Sequence, residues 1–360
     1  MAQAVTAAQV TKEEQAREHS RKMVSQSYWS LVRHQFKKNK IALTALYTVY
    51  VLFAVAIFAD FLANDKPIVA KYNGTIYFPV IKDYLVGLGI DRWGPDLVNT
   101  DWKELDSEGK LSMTIWTPVP YRSSNQDLEH NMAHPGGKHI LGTDGIGRDV
   151  LAGIISGSRI ALTIGFLSMS IALTLGILFG ALAGYYGGWV DIAISRLIEV
   201  VITFPTFFLI ITVVAMLPTG SIWLVMVMIG LTRWPGIARF TRGEFLRIRN
   251  MEYSAAATAL GFSGKRIIFR HVLPNSLAPV LVSAAFGVAS AILTEAGLSF
   301  LGFGVPPTIV TWGSVLNDAR GDVTAWWLAV FPGFMIFISV LCYNLIGDGL
   351  RDALDPRLRD

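Results

Sequence analysis

The chain has 360 residues, of which 52% are hydrophobic and 16% charged, and its mean hydropathy is +0.45. A soluble globular chain averages about 25% charged residues, and long uncharged runs account for the deficit here, so the composition excludes an ordinary soluble protein. The net charge of +4 does not require a nucleic-acid partner, because membrane proteins collect Lys and Arg on their cytoplasmic side.

The first predicted span is residues 41–62, which is long enough for a bilayer that needs about 20 apolar helical residues. Residues 1–40 carry eight Lys/Arg against three Glu, whereas residues 63–138 carry eight Lys/Arg against ten Asp/Glu. This asymmetry predicts a cytoplasmic N-terminal tail and an extracytoplasmic insert at 63–138. The insert is too long for a simple connection, so we expect a small folded lobe.

The second apolar run has no charge from Ile160 to Val190. Within it, Gly176, Gly180 and Gly184 recur every four residues and therefore share one helical face. Small residues at this spacing let the backbone of another helix approach closely. The pattern predicts a helix-packing face.

The third predicted span runs from about Ile192 to Leu217 and contains Pro205. Arg196 and Glu199 are three residues apart near its start, so we expect them to form a local pair. Pro218 begins a predicted turn after this span.

The fourth span begins at Ile222, but only 11 uncharged residues precede Arg233. These residues cover roughly half of the hydrocarbon core. The span must therefore continue past Arg233 and Pro235 toward Phe240, with Arg233 lining an interior or snorkelling to the interface.

The fifth and sixth spans are predicted at Val272–Thr294 and within Val323–Gly347. The predicted fold class is all-α: a polytopic membrane protein with six transmembrane helices and a small extracytoplasmic insert. Residues 139–347 form the predicted core, and 348–360 form a C-terminal tail that, like the N-terminus, is expected in the cytoplasm.

The loop between the fourth and fifth spans, residues 240–275, is basic and is expected in the cytoplasm. Asn250 is expected to cap a helix over residues 251–260, which Gly261 ends in the left-handed conformation. A second helix is predicted from Ser263 to a helix breaker, Pro274. The Ala-rich first helix suits the groove of a partner protein, although composition alone also fits an ordinary amphipathic connector.

Catalytic and metal-binding patterns are weak. His130, His134 and His139 are spaced by four and five, but a Pro-Gly-Gly sequence interrupts them. One helix cannot present all three, so the sequence predicts surface histidines and no metal site.

A phosphate-binding loop is also missing from the sequence. At Gly264-Lys265 the next residue is Arg266 instead of Ser or Thr, and Ala259 stands where the first glycine is needed. We therefore expect a chain that is not an enzyme, binds no cofactor and cannot hydrolyse ATP by itself.

The segment from Glu252 to Gly261 reads Glu-Tyr-Ser-Ala-Ala-Ala-Thr-Ala-Leu-Gly and is followed by Leu273-Pro274. It resembles the "EAA" loop of bacterial ABC importer permeases, in which the glycine and the Leu-Pro pair have this spacing. One departure is Ala255, which occupies the position of the motif's glutamate. The resemblance implies that an ATPase couples to this loop through the following residues: Glu252, Ala255, Ala256, Ala257, Gly261, Arg266, Arg270, Leu273 and Pro274.

Other motifs narrow the resemblance to the dipeptide/oligopeptide permease group. The stretch before the second span looks like that group's, and it contains Gly142, Thr143, Asp144, Gly147, Arg148, Asp149 and, further on, Arg159. We expect Asp144, Arg148 and Asp149 to form an ion network. The exit of the fifth span, from Glu295 to Pro307, is also similar, and the insert looks like that of the Yej-type permeases, which import oligopeptides and microcin C.

The resemblance implies an ABC importer type I permease fold in the bacterial inner membrane. Its implied partners are the lipid bilayer, a second permease that completes a heterodimer, two separate or fused ATPase domains that use ATP and Mg, and an extracytoplasmic solute-binding protein. Peptides are the expected substrates, and Glu295 and Arg233 are candidates for the translocation path. Nickel, glutathione or another small solute is the alternative cargo, and a membrane enzyme or receptor-like subunit is the remote alternative.

Overall fold

The structure is a computed structural model that describes residues 28–94, 97–98, 100–216 and 221–354. The predicted turn at Pro218, residues 1–27 of the predicted N-terminal tail and residues 355–360 of the predicted C-terminal tail lie outside the described residues. The described helices are α1 (Tyr28–Lys38), α2 (Lys40–Ile57), α3 (Ala59–Leu62), α4 (Pro79–Gly87), α5 (Trp102–Ser107), α6 (Val150–Tyr186), α7 (Gly188–Thr203), α8 (Thr206–Met216), α9 (Ile222–Arg249), α10 (Glu252–Ala259), α11 (Gly264–Ile267), α12 (Leu273–Phe300), α13 (Trp312–Asp318) and α14 (Trp326–Leu354).

Each of the six predicted spans corresponds to a helix or a pair of helices. Within the described residues, α2, α6, α14 and the continuous helical stretch Gly264–Phe300 are each long and apolar enough to cross a membrane. The pair α7 and α8 reaches this length only together, across a bend of 77°. Helix α9 has 28 residues and continues past Arg233, as predicted for the fourth span. Its length of about 42 Å exceeds the hydrocarbon thickness of about 30 Å.

Helix α6 connects the two ends of the bundle. Asp149 caps its first turn by accepting a hydrogen bond from the Ala152 N–H at 2.8 Å, and Ala152 packs beside residues of the insert. Its last turn brings Tyr185 beside Gly264. We call these the insert end and the hairpin end of the molecule.

The glycines of α6 form a close seam with α9, as their spacing predicts. A Cβ atom on Gly180 would lie 2.6 Å from the carbonyl oxygen of Ala238 and from the Cβ of Thr241. Gly176 and Gly184 are equally tight against α9. Since these distances are well inside van der Waals contact, any larger residue would force the two helices apart.

The main apolar core lies among α2, α6, α12 and α14. Leu52, Met169, Ile292 and Tyr343 are buried in it, one from each of these helices. The exposed faces of the same helices keep large apolar side chains such as Tyr50, Phe166, Leu293 and Phe334, as expected for surfaces that lie against lipid.

Proline interrupts the third predicted span. Helix α7 ends at Thr203 and α8 begins at Thr206, so Pro205 lies in the break. Its ring removes an N–H donor and clashes with the preceding turn, which produces the bend.

Proline does not end the helix that follows the hairpin, so the prediction of a breaker at Pro274 is wrong. The π-helical turn Ile268–Val272 precedes it, and Pro274 is in the first turn of α12. A π turn carries one extra residue and changes the carbonyl positions beneath the proline. The helical stretch therefore continues from Gly264 to Phe300.

The insert contains short strands as well as helices, which the all-α prediction did not include. Strands β1 (Val69–Tyr72), β2 (Thr75–Tyr77) and β3 (Leu111–Ile115) form an antiparallel sheet in the order β2-β1-β3. Trp102 is 1% exposed and packs with Ala70 on this sheet, so the insert has a small core of its own.

The predicted boundary between residues 138 and 139 divides a unit that the structure holds together. The Asp127 N–H donates to the Gly147 carbonyl at 3.0 Å, and the Thr143 N–H donates to the Ala133 carbonyl at 3.0 Å. We call residues 127–149 the clamp. Its two halves are hydrogen-bonded across the predicted boundary, which charge counting alone cannot reveal.

Candidate functional site

The hairpin between α9 and α12 presents a small, smooth helix to solvent. The predicted helix over residues 251–260 is confirmed as α10. Ala255 and Ala256 are exposed on it, whereas Ala257 is only 4% exposed and packs into an apolar cluster with Phe245 and Val272. Ala257 therefore anchors the helix, and a partner would contact its other face.

Gly261 ends α10 in the left-handed conformation, as predicted. Its φ is +74°, its N–H donates to the Thr258 carbonyl at 3.0 Å, and the Phe262 N–H donates to the Ala257 carbonyl at 3.2 Å. These two bonds form a Schellman motif. The predicted cap by Asn250 is wrong: Met251 is the N-cap residue and its side chain makes no capping bond.

Aromatic and basic residues surround the exposed face of α10. The Arg266 guanidinium lies 4.2 Å from the centroid of the Phe262 ring, which stacks on His271. Arg270 is exposed, and so are Leu260 and Phe269, at 72% and 67%. An exposed apolar patch with a basic rim is typical of a protein-binding surface.

The remaining residues of the EAA-like segment lie at the edges of this surface. Glu252 is exposed in the first turn of α10, where a carboxylate interacts favourably with the helix dipole. Leu273 is half-buried beside the apolar cluster beneath α10, and Pro274 is exposed. The structure thus brings the residues of the motif to one end of the molecule.

A cavity of about 560 Å³ lies between α9, α12 and the break that separates α7 from α8. Arg233 lines it, together with Thr206, Ser283 and Thr294. An Arg233 Nη atom donates to the Ser290 carbonyl at 3.0 Å and to the Thr294 hydroxyl at 2.8 Å. Its buried Nε has no hydrogen-bond partner among the residues that the structure describes, so Arg233 has a donor left for a ligand in this cavity.

Glu295, the other candidate for the translocation path, does not line this cavity. It is 1% exposed and accepts a hydrogen bond from the Ser299 hydroxyl at 2.7 Å. Because Gly313 approaches the next turn of α12 closely, Glu295 is enclosed by protein. Sequence position placed it near the outer end of the span but could not show which face of α12 it occupies.

The glycines that precede α6 permit close crossing of the clamp's two halves. Gly147 has a φ of +78°, and a Cβ there would lie 2.0 Å from the Asp127 carbonyl oxygen. Gly142 has a φ of +80°, and a Cβ there would lie 2.6 Å from the Ala133 carbonyl oxygen. Thr143 is fully buried and its hydroxyl donates to the His130 carbonyl at 2.5 Å.

The predicted network of Asp144, Arg148 and Asp149 forms only in part. Arg148 Nε donates to Asp144 Oδ2 at 2.5 Å, and an Nη atom donates to Asp318 Oδ2 on α13 at 3.0 Å. Asp149 instead bonds His139 Nδ1 through Oδ2 at 2.8 Å. The local spacing could not anticipate the long-range partners Asp318 and His139.

The prediction of surface histidines is wrong for His139, which is 2% exposed. The Pro-Gly-Gly turn does interrupt the chain, but it folds His139 back toward His130 and places their ring centroids 5.9 Å apart. His134 lies elsewhere, against the Trp327 ring at 4.7 Å.

Arg159 connects α6 to the first span. Its Nη atom donates to Asp60 Oδ2 at 2.9 Å and its Nε donates to the Ala56 carbonyl at 3.0 Å. The Tyr84 hydroxyl of the insert also bonds Asp60. Burial and the bond to Asp60 raise the pKa of Tyr84, which therefore keeps its proton and donates.

One pair at the hairpin end was not foreseen. Arg242 on α9 binds Asp191 on α7 in bidentate fashion, at 2.5 and 2.6 Å. Sequence reasoning assigned Arg242 to a basic loop, yet α9 continues through it. The predicted pair of Arg196 and Glu199 is confirmed at 2.5 Å.

A bundle of apolar helices, an open cavity lined by an arginine and an exposed Ala-rich hairpin are the features expected of a membrane permease. Residues 176–360 match the family described as binding-protein-dependent transport system inner membrane component. Residues 27–78 match the N-terminal TM domain of oligopeptide transport permease C. The chain belongs to the inner membrane component family of binding-protein-dependent transport systems.

Similar proteins cover most of the chain. The peptidoglycan transport system permease protein YejE of Agrobacterium fabrum is 34% identical over 89% of this chain and 91% of its own length. The inner membrane ABC transporter permease protein YejE of Escherichia coli is 35% identical over 92% of this chain and 97% of its own length. The dipeptide transport system permease protein DppC of Alkalihalophilus pseudofirmus is 40% identical over 69% of this chain and 83% of its own length. A solved structure of the MetNI methionine ABC transporter aligns with 57% of this chain and 98% of its own, at 18% identity and a TM-score of 0.48.

Proposed function

We propose that the chain is one permease subunit of an ATP-driven peptide importer and forms half of the translocation path. A second permease completes the path, ATPase subunits bind the hairpin end, and a solute-binding protein docks at the insert end. The hairpin and both termini then lie in the cytoplasm, which agrees with the basic residues of the hairpin. ATP hydrolysis belongs to the ATPase partners.

The observation that carries this proposal is the connection between the hairpin and the cavity. Helix α10 lies between α9 and α12, and both of these helices line the cavity with Arg233 and Ser283. Because the apolar cluster around Ala257 fixes α10 to the base of both helices, a displacement of α10 moves the cavity walls. This is how an ATPase cleft that closes on α10 would change access to the cavity.

Gly261 provides the sharpest test of the coupling role. In the transporter reconstituted with its partners, Gly261→Glu is expected to lower substrate-stimulated ATP hydrolysis and transport by at least tenfold, while membrane insertion stays unchanged. The substituted residue strains a left-handed turn and adds a charge to the docking surface.

Gly109→Glu is the matched control for that experiment. Gly109 also has a positive φ, +68°, and open space around it, but it lies in the insert. If Gly261→Glu retains the stimulation measured for the control, the hairpin is not the coupling element and the proposal fails.

Arg233 tests the transport path separately. Its unpartnered donor and the polar residues beside it suit the carboxylate or carbonyl groups of a peptide. Arg233→Leu is expected to lower peptide transport at least tenfold while basal ATP hydrolysis persists. Arg239→Leu, an exposed position on the same helix, is expected to transport normally; equal transport by both variants would exclude Arg233 from the path.

A further inference from the structure

Three side chains that commonly ligate metals meet inside the clamp. One ligand atom from each of Asp127, His130 and His139 lies within 4.8 Å of the others. Asp127 Oδ2 is 3.0 Å from His130 Nδ1 and 3.7 Å from His139 Nε2. Ligand atoms of a tetrahedral zinc site with bonds of about 2.0–2.1 Å lie about 3.3 Å apart, so small side-chain rotations bring these three atoms into that arrangement.

His139 supplies the strongest evidence for a ligand. It is 2% exposed, and its Nδ1 lies 2.8 Å from Asp149 Oδ2. Because a carboxylate only accepts hydrogen bonds, Nδ1 carries a proton, and with that single proton on the ring Nε2 is the atom that can bind a metal. That Nε2 atom is buried, has no hydrogen-bond partner among the described residues and lies 3.7 Å from Asp127 Oδ2. A buried polar atom without a partner is uncommon in proteins and marks a place where a ligand can bind.

The arrangement also contains the outer contact that metal-binding histidines use. In metal sites the second ring nitrogen of a ligating histidine usually donates to a carboxylate, which fixes the tautomer and makes the ring a better ligand. Asp149 holds His139 in this way, and its other oxygen caps α6. Both functions fix the carboxylate in one position.

The backbone holds the ligands before any metal arrives. Asp127 Oδ1 accepts from the Glu129 N–H at 3.2 Å, and the Asp127 main chain bonds Gly147. The His130 carbonyl accepts from the Thr143 hydroxyl. Each of these contacts has a main-chain group on at least one side and leaves Asp127 Oδ2 and His139 Nε2 out. The ligand atoms that bond each other are His130 Nδ1 and Asp127 Oδ2, at 3.0 Å.

We propose that Asp127, His130 and His139 form a divalent transition-metal site of the zinc type, in which Asp149 positions His139. Three protein ligands leave a fourth position for water. A metal here joins the insert, through Asp127 and His130, to the segment that leads into α6, through His139. It strengthens the insert end without taking part in transport chemistry.

Cobalt binding to the purified full chain tests this proposal. The chain is prepared with a tag that contains no histidine, treated with a chelator and titrated with Co²⁺, whose visible absorption distinguishes tetrahedral from octahedral coordination. We expect one tetrahedral Co²⁺ per chain, displaced by Zn²⁺. We also expect the melting temperature to rise with added Zn²⁺, because a ligand that binds the folded state stabilises it.

Two variants and one control decide which residues bind. Asp127→Asn and His130→Ala change half-exposed side chains, so both are expected to fold and to lose the tetrahedral spectrum. His134→Ala removes a neighbouring histidine outside the cluster and is expected to bind like the wild type. The proposal is overturned if the wild-type protein shows no tetrahedral spectrum. It is also overturned if Asp127→Asn and His130→Ala bind Co²⁺ as tightly as His134→Ala does.

Asp149→Asn tests the positioning role. Asn caps helices as well as Asp does, so the melting temperature without metal is expected to stay near that of the wild type. The dissociation constant for Co²⁺ is expected to rise by about 10- to 100-fold, the usual effect of losing a carboxylate behind a ligating histidine. An unchanged dissociation constant would show that Asp149 does not act through His139.

Discussion

The two ends of α6 are held by different kinds of contact. At the insert end, buried polar pairs dominate: Asp144 with Arg148, and His139 with Asp149. At the hairpin end, glycines lie against the backbone of α9 and an apolar cluster holds α10. A buried ion pair fixes one geometry, because breaking it leaves a buried charge without its partner. Contacts between small apolar residues instead let two helices move as one body. This difference agrees with the proposed roles, in which the insert end stays in place and the hairpin end transmits movement.

Breaking the buried ion pair of Asp144 with Arg148 should have the largest effect on stability. Arg148→Ala leaves the Asp144 side chain, 4% exposed, without its cation. We expect a loss of about 3–5 kcal/mol in the free energy of unfolding, measured by thermal or denaturant unfolding in detergent. Arg320→Ala, an exposed arginine at the same end, should change it little; a similar loss in both variants would contradict the comparison.

The glycine seam at the other end should be the next most sensitive. Gly180→Ala places a Cβ 2.6 Å from the Ala238 carbonyl oxygen, and we expect it to destabilise by about 1–3 kcal/mol through overpacking. Gly243→Ala on α9 has nothing within 4 Å of the added Cβ and should gain up to about 1 kcal/mol from helix propensity. Unfolding midpoints of the two variants should therefore move in opposite directions.

A pH titration sharpens the contrast, because the insert end carries a titrating group. Burial raises the pKa of Asp318 to about 6, although the Arg148 guanidinium acts in the opposite direction. The folded state then binds the Asp318 proton more tightly than the unfolded state does. The stability that protonated Asp318 contributes is therefore complete below about pH 4 and is lost as the pH rises through 6. Asp318→Asn should remove this component from melting temperatures measured between pH 4 and 7.

Asp322 provides a control of opposite sign for that titration. Hydrogen bonds from Thr324 lower the pKa of Asp322, so any stability it contributes is present at higher pH and is lost as the pH falls. Asp322→Asn should therefore leave the decline between pH 4 and 6 in place. If the decline persists in Asp318→Asn as well, its source lies elsewhere.

The smallest effect is expected where charges pair on the surface. The Arg196 and Glu199 side chains are 75% and 50% exposed, and solvent-exposed pairs contribute about 0–1 kcal/mol. Arg196→Ala should shift the unfolding midpoint by no more than the error of the measurement. A loss comparable to that of Arg148→Ala would mean that burial does not decide the strength of these pairs.

Local pattern was sufficient to predict the spans, the seam and the hairpin helix. The spacing of Gly176, Gly180 and Gly184 predicted a packing face, and the position of Gly261 predicted a left-handed end for α10. Both predictions depend only on residues within one or two helical turns of each other along the chain. The burial of Ala257 was not predictable in this way, because an all-alanine run has no amphipathic pattern.

What the sequence could not predict depends on contacts between distant residues. His139 was expected on the surface because its partner, Asp149, is recognisable only after the turn folds back. The burial of Glu295 was not predictable, because its depth in the span was visible and its face was not. The strands of the insert have only three to five residues, and β3 pairs with β1 across residues 73–110, so alternation along each strand gives too little signal.

The π-helical turn at Ile268–Val272 has a geometric consequence for the hairpin. A π turn accommodates one extra residue within a single turn, whereas each residue of a regular α-helix advances the chain by about 100° around the axis. Deleting one of these five residues would restore regular α-helix and keep Arg266 near its present direction relative to Ser283 on α12. A deletion between Leu273 and Ser283 has no such turn to absorb it and would rotate the exposed face of α10 by about 100°. The hairpin should therefore tolerate a single-residue deletion in the π turn better than one in the first turns of α12.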